Sequence, residues 1–173
     1  MLSRAMIGAV AAAVGLAGCG SDELRPPTGP SGPPSVFTAD LVPADPDAGS
    51  RAAGRATVTV TTQRDANGTI TAASVGFTAA MTGLATTTTG VTTAQILLRN
   101  AFKPIPVVTV TDLSPALRHI FDRNDSFNIM SFDVSGVAIP PLLASQILDE
   151  PASYYFSVET ETDRDGALRG ILR

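Results

Sequence analysis

The chain predicts an all-β domain, an antiparallel two-sheet sandwich of Greek-key type with one short helix. Three observations predict it. Short apolar/polar alternations of period two recur from Val36 to the C-terminus. Clusters of Gly, Pro, Asn and Asp punctuate them every 8–12 residues or so, the spacing of a sandwich. Only one stretch has helical spacing and helix-start chemistry.

In Phe37–Leu41, Phe37, Ala39 and Leu41 alternate with Thr38 and Asp40, as in a half-buried strand. Ala56–Thr61 alternates more strictly and sets β-branched threonines on its wet face. Arg64-Asp65-Ala66-Asn67-Gly68 is a turn, because Asn and Gly tolerate positive φ. Thr69–Met81 follows as a strand. Its inward set switches parity, from Ile70 and Ala72 to Val75, Phe77, Ala79 and Met81, which predicts a bulge near Ala73–Ser74. Thr86–Thr89 is an exposed loop. Thr92–Leu98 and Ile105–Val110 are strands on either side of a Lys-Pro turn. Asp112–Phe121 is ambiguous, since Ser114-Pro115 also fits the start of a short helix. Phe127–Val134 is a strand. Ile139–Asp149 is the helix, with prolines at its start and Leu142, Leu143, Gln146 and Ile147 at helical spacing. Tyr154–Thr162 is a strand with Tyr154, Phe156 and Val158 on one face. Asp163-Arg164-Asp165-Gly166 turns it into Ala167–Leu172.

Residues 1–18 lie outside this pattern. Arg4 supplies a positive charge, and Ala5–Ala17 is uncharged and mostly apolar. That run is too short to cross a bilayer, which takes about 20 residues, but fits the apolar core of a secretory signal. It ends in Leu16-Ala17-Gly18-Cys19, which resembles the bacterial lipobox. That resemblance implies cleavage before Cys19 and a diacylglycerol on its thiol. Small residues admit the peptidase to an extended backbone, and the thiol is the nucleophile that accepts the lipid. Several acyl chains anchor stably where one does not, since each buried CH₂ contributes about 0.8 kcal/mol. Residues 19–35 are rich in Pro, Gly and Ser and read as a semi-extended tether. Gly20, not Asp22, follows the Cys, which favours outer-membrane delivery, to the periplasmic or the outer surface. The remainder, 36–173, is one domain.

Composition removes several functions. One cysteine excludes an intramolecular disulfide framework and any multi-cysteine zinc site. One histidine excludes a multi-histidine site. A chain of net charge −4 with a single lysine lacks the basic face that nucleic-acid binding needs.

Several segments together resemble the CHRD domain, named for chordin. They are Phe37-Thr38-Ala39-Asp40-Leu41, Gly54-Arg55-Ala56, Thr82-Gly83-Leu84, and the pair Pro151–Val158 and Gly166-Ala167-Leu168-Arg169-Gly170-Ile171-Leu172. The resemblance spans roughly Val36–Arg173 and implies a secreted or lipid-anchored sandwich, similar in layout to copper/zinc superoxide dismutase. Family members carry a His-x-His after the Thr-Gly-Leu strand and a further histidine in the Tyr-rich strand. Here those three positions hold Gln95, Leu97 and Glu159. Two imidazoles on one strand face suit Cu or Zn. Leu97 ligates nothing, so no metal and no cofactor is expected.

The other candidates are weaker. His119 lacks a Gly-x-Ser-x-Gly partner for a triad. Asp163-x-Asp165-Gly166 resembles a calcium-loop fragment without its closing Glu. Asp45/Asp47 and Glu159/Glu161/Asp163/Asp165 are carboxylate clusters, but paired acids for glycoside hydrolysis normally sit in an aromatic cleft, and the chain has no Trp. Arg169 is expected to pair with Glu159 or Glu161. The leading expectation is a lipid-anchored envelope protein with a non-enzymatic binding or structural domain, its partners the membrane and an envelope or extracellular component. A degenerate metal or redox sandwich is the alternative, and a carboxylate hydrolase the third.

Overall fold

In a computed structural model of the protein, residues 31–45, 51–84, 91–100, 103–111, 113, 117–121, 128–161 and 166–173 are described. The stretch expected to be a signal segment, Cys19, Asp47, the threonine run, Ser114-Pro115 and Asp163–Asp165 lie outside them.

Among the described residues, nine strands and one α-helix follow in order: β1 Ser35–Pro43, β2 Ala53–Arg64, β3 Ile70–Thr82, β4 Val91–Leu98, β5 Ile105–Thr111, β6 Leu117–Phe121, β7 Asn128–Ile139, α1 Pro141–Asp149, β8 Tyr154–Thr160 and β9 Leu168–Ile171. All pairings are antiparallel, and the lateral order is β5-β4-β8-β9-β1-β2-β3-β7-β6. The all-β fold with one short helix is as expected, but its two leaves are not separate sheets. β1 pairs with β2 along one edge and with β9 along the other, so one strand belongs to both. Reciprocal bonds between Thr38 and Arg173, both 2.9 Å, extend the β1–β9 seam to the end of the chain.

The leaves close on one core. Phe77 of β3 meets Phe156 of β8 edge-to-face at 5.4 Å between centroids, and Phe132 of β7 stacks on the same ring at 6.4 Å. Ala39, Leu41, Val58, Val60, Ile96, Val158, Leu168 and Leu172 fill the space around them. Each is an alternate residue of its strand, as the period-two pattern requires, and Leu172 continues that alternation just past the end of β9. Burying one such large side chain stabilises the fold by about 1.5–3 kcal/mol.

The structure moves three sequence expectations. Register slips at two places along β3, against β2 opposite Ile70–Ala72 and against β7 between Val75 and Phe77, on either side of Ala73–Ser74 and not at it. Ala73 already packs on the core, so the inward parity from 73 to 81 is unbroken. The ambiguous segment contributes a strand, β6, at the edge beside β7. The helix starts at Pro141, because Ile139 is still hydrogen-bonded in β7 opposite Ala73. Pro141 sits at N1, where the missing N–H costs nothing. Ala144 and Ile147 are the buried helix residues, and α1 lies on β2 and β3. Leu142 points away and is 71% exposed.

The tether joins the domain before its expected end. Ser31 bridges to Gln63, and Gly32 N–H donates to Thr62 O at 3.2 Å. At the β2–β3 turn, Asp65 Oδ1 accepts from the backbone N–H of both Asn67 (2.9 Å) and Thr69 (2.8 Å), and Gly68 takes φ +84°.

Candidate functional site: a polar cleft on the second leaf

In β8, Tyr154, Phe156 and Val158 point into the core, so Tyr155, Ser157 and Glu159 occupy the opposite face. In β4, Ala94 and Ile96 are core residues, so Gln95 and Leu97 share that opposite face. Register then makes rows. Gln95 lies opposite Ser157, and Ser157 opposite Arg169 of β9. Leu97 lies opposite Tyr155, and Thr93 opposite Glu159.

These rows line a cleft of about 280 Å³, bounded on one side by Lys103, Pro104 and Pro106. Gln95 Nε2 donates to Glu159 Oε1 at 2.7 Å. Ser157 Oγ donates to Leu168 O at 3.4 Å. Two guanidinium groups approach the Tyr155 ring, Arg99 at 5.3 Å from its centroid and Arg169 at 5.9 Å. Arg169 is therefore engaged with an aromatic face, not in the expected pair with Glu159 or Glu161. A guanidinium over a ring contributes about 0.5–1 kcal/mol at an exposed site.

Two further hollows continue from the cleft. One, of about 280 Å³, is lined by Arg99, Asn100, Ser153 and Tyr155. The other, of about 390 Å³, reaches the end of α1 at Asp149 and Glu150 and includes Tyr154. Burial pushes the Tyr154 phenol above its ordinary pKa, and the nearby Glu150 carboxylate adds to the rise.

The three positions singled out by the family resemblance, Gln95, Leu97 and Glu159, thus meet in one cleft. As a donor set they do not fit Cu or Zn. They offer one amide, one hydrocarbon and one carboxylate whose Oε1 already accepts from Gln95. Among the described residues, no cluster of three or more His, Cys, Asp and Glu assembles elsewhere. Among the described residues, Glu159 is the one carboxylate lining the cleft, and Glu161 lies exposed beyond it. The backbone of His119 belongs to β6, the edge strand of the other leaf. Tyr155, Ser157, Arg99 and Lys103 were not singled out from sequence. Alternation around Phe156 already sets Tyr155 and Ser157 beside Glu159, whereas Arg99 and Lys103 leave no periodic signal.

In comparisons with known proteins, no family model, no curated protein and no solved structure matches the chain.

Proposed function

We propose that this chain is a lipid-anchored envelope protein whose CHRD-like sandwich serves as a non-enzymatic binding or structural module. The observation that carries the reading is Leu16-Ala17-Gly18-Cys19 at the end of an uncharged apolar run, followed at once by a Pro/Gly/Ser tether. The lipid on Cys19 holds the chain to the membrane, probing the envelope with a single folded domain. Of the stretch read as a tether, Ser31 already bridges to Gln63 of β2, which leaves Gly20–Pro30 as the spacer on this reading of the sequence. At about 3.1 Å per residue, a proline-rich stretch of that length, if extended, would span some 35 Å. The binding reading draws on the polar cleft, whose described residues gather hydrogen-bonding groups and cations.

Mass analysis of the protein made in a bacterial host tests the anchor. The expected N-terminal peptide begins at Cys19 and carries acyl chains, and Cys19→Ala abolishes membrane fractionation. An unmodified Cys19 peptide, or a mature chain that starts elsewhere, overturns the reading.

A further inference from the structure

The outward face of a sheet normally leaves its polar side chains in water. On the second leaf it does not: Gln95 is 9% exposed and Ser157 is 4% exposed. Burial of polar groups costs free energy unless they are satisfied, so a polar pair withdrawn into a cleft is informative where a surface Thr is not. Charge is equally uneven. In a chain of 16 acidic and 12 basic residues, Arg169 and Lys103 line this cleft with Glu159 as the one carboxylate among the described residues. Arg99 reaches the same Tyr155 ring from the adjoining hollow.

We infer that this cleft binds a carboxylated sugar, a hexuronate unit of an acidic glycan. Arg169 and Lys103 supply the charge for its carboxylate, and a guanidinium does so with two parallel N–H donors. Glu159 keeps a second oxygen for a ring hydroxyl beside the Gln95 amide, while Ser157, buried and bonded to Leu168 O, forms the floor. Leu97 offers an apolar wall for the C–H edges of the ring. The volume is at the small end for ligand sites and suits one sugar unit. The adjoining hollow shares Tyr155 and receives a second unit, so longer oligomers bind more tightly. An extended peptide is a poorer fit. β4 is paired on both sides, and where the cleft reaches the outer strand β5 it is bounded by Pro104 and Pro106, which have no N–H to offer an added strand.

The inference rests on the domain being a binding module, not on the anchor. Anchoring is read from the mass of the Cys19 peptide and binding by calorimetry, so each can fail alone. The full chain is titrated at low salt with a galacturonate trimer, a glucose trimer, a glutamate tripeptide and inorganic phosphate. The expected result is binding of the galacturonate trimer, with the other three weaker by at least about tenfold. Arg169→Gln and Lys103→Gln, both at exposed side chains, each weaken the trimer by about tenfold, while Arg64→Gln on the other leaf changes nothing. No binding of the galacturonate trimer overturns the inference. So does equal affinity for any of the other three, or indifference to both cation substitutions.

Discussion

Gln95 and Glu159, which lie 64 residues apart in the chain, are joined by a 2.7 Å hydrogen bond from the amide of one to the carboxylate of the other. The bond crosses from β4 to β8 on the outer face of the second leaf. Because Gln95 is nearly buried, loss of its acceptor leaves an amide without a partner, which costs about 1–2 kcal/mol. Glu159→Ala is expected to lower stability by that amount in urea denaturation. Gln95→Leu, which removes the buried amide itself, is expected to change it by less than about 1 kcal/mol.

Phe156 is the ring on which both leaves converge, fully buried and in contact with Phe77 and Phe132. Phe156→Ala removes those contacts and leaves a cavity. The expected loss is about 3–5 kcal/mol, seen as a fall in the urea midpoint with little change in slope. A domain with an ordinary reserve of about 5–15 kcal/mol is left marginal.

Gly170 closes the seam between β9 and β1. A Cβ there would collide with the carbonyl oxygen of Asp40, which is backbone and cannot swing aside. Gly170→Ala is expected to destabilise by about 1–3 kcal/mol, the usual range for overpacking. Amide exchange at Thr38 and Arg173, whose reciprocal bonds lie on the same seam, should accelerate first.

Tyr154 sets a pH dependence. Burial, and then Glu150, raise its pKa above the ordinary 10.0. Between the unfolded and the folded pKa, the unfolded chain has lost the proton while the native state retains it. The native state then binds more protons, so stability falls as pH rises through that window. The contribution is fully present below the unfolded pKa. Thermal melting followed upward from pH 9 should show this decline, and Tyr154→Phe should remove the part due to this group.

Much of the strand plan was legible because a half-buried strand must alternate. Tyr154, Phe156 and Val158 declared the inward face of β8 without help from any other segment. The Asp65–Gly68 turn was equally local, since Asp65 bonds its own near neighbours. The bulge in β3 was misplaced by about two residues, because small alanines at 72 and 73 give weak parity. β6 was not separable from a helix start, because its pairing partner β7 lies elsewhere in the chain. Leu142 fitted the helical stripe but faces outward, since α1 rolls Ala144 and Ile147 onto β2 and β3.

By itself, then, the sequence determined what depends on neighbours in the chain: strand periods, turn chemistry, and the Leu16–Cys19 motif and Pro/Gly/Ser-rich stretch from which the anchor is proposed. Tertiary structure alone decided what depends on register. It made β1 the strand common to both leaves, placed Gln95, Ser157 and Arg169 in one row, and brought Glu159 to Gln95. A shift of one residue in the β4–β8 pairing would have matched every alternation equally well along each strand. It would also have turned one of the two faces against the other. Only the packing of Ile96 and Phe156 into a common core excludes it, and that is a property of the fold as a whole.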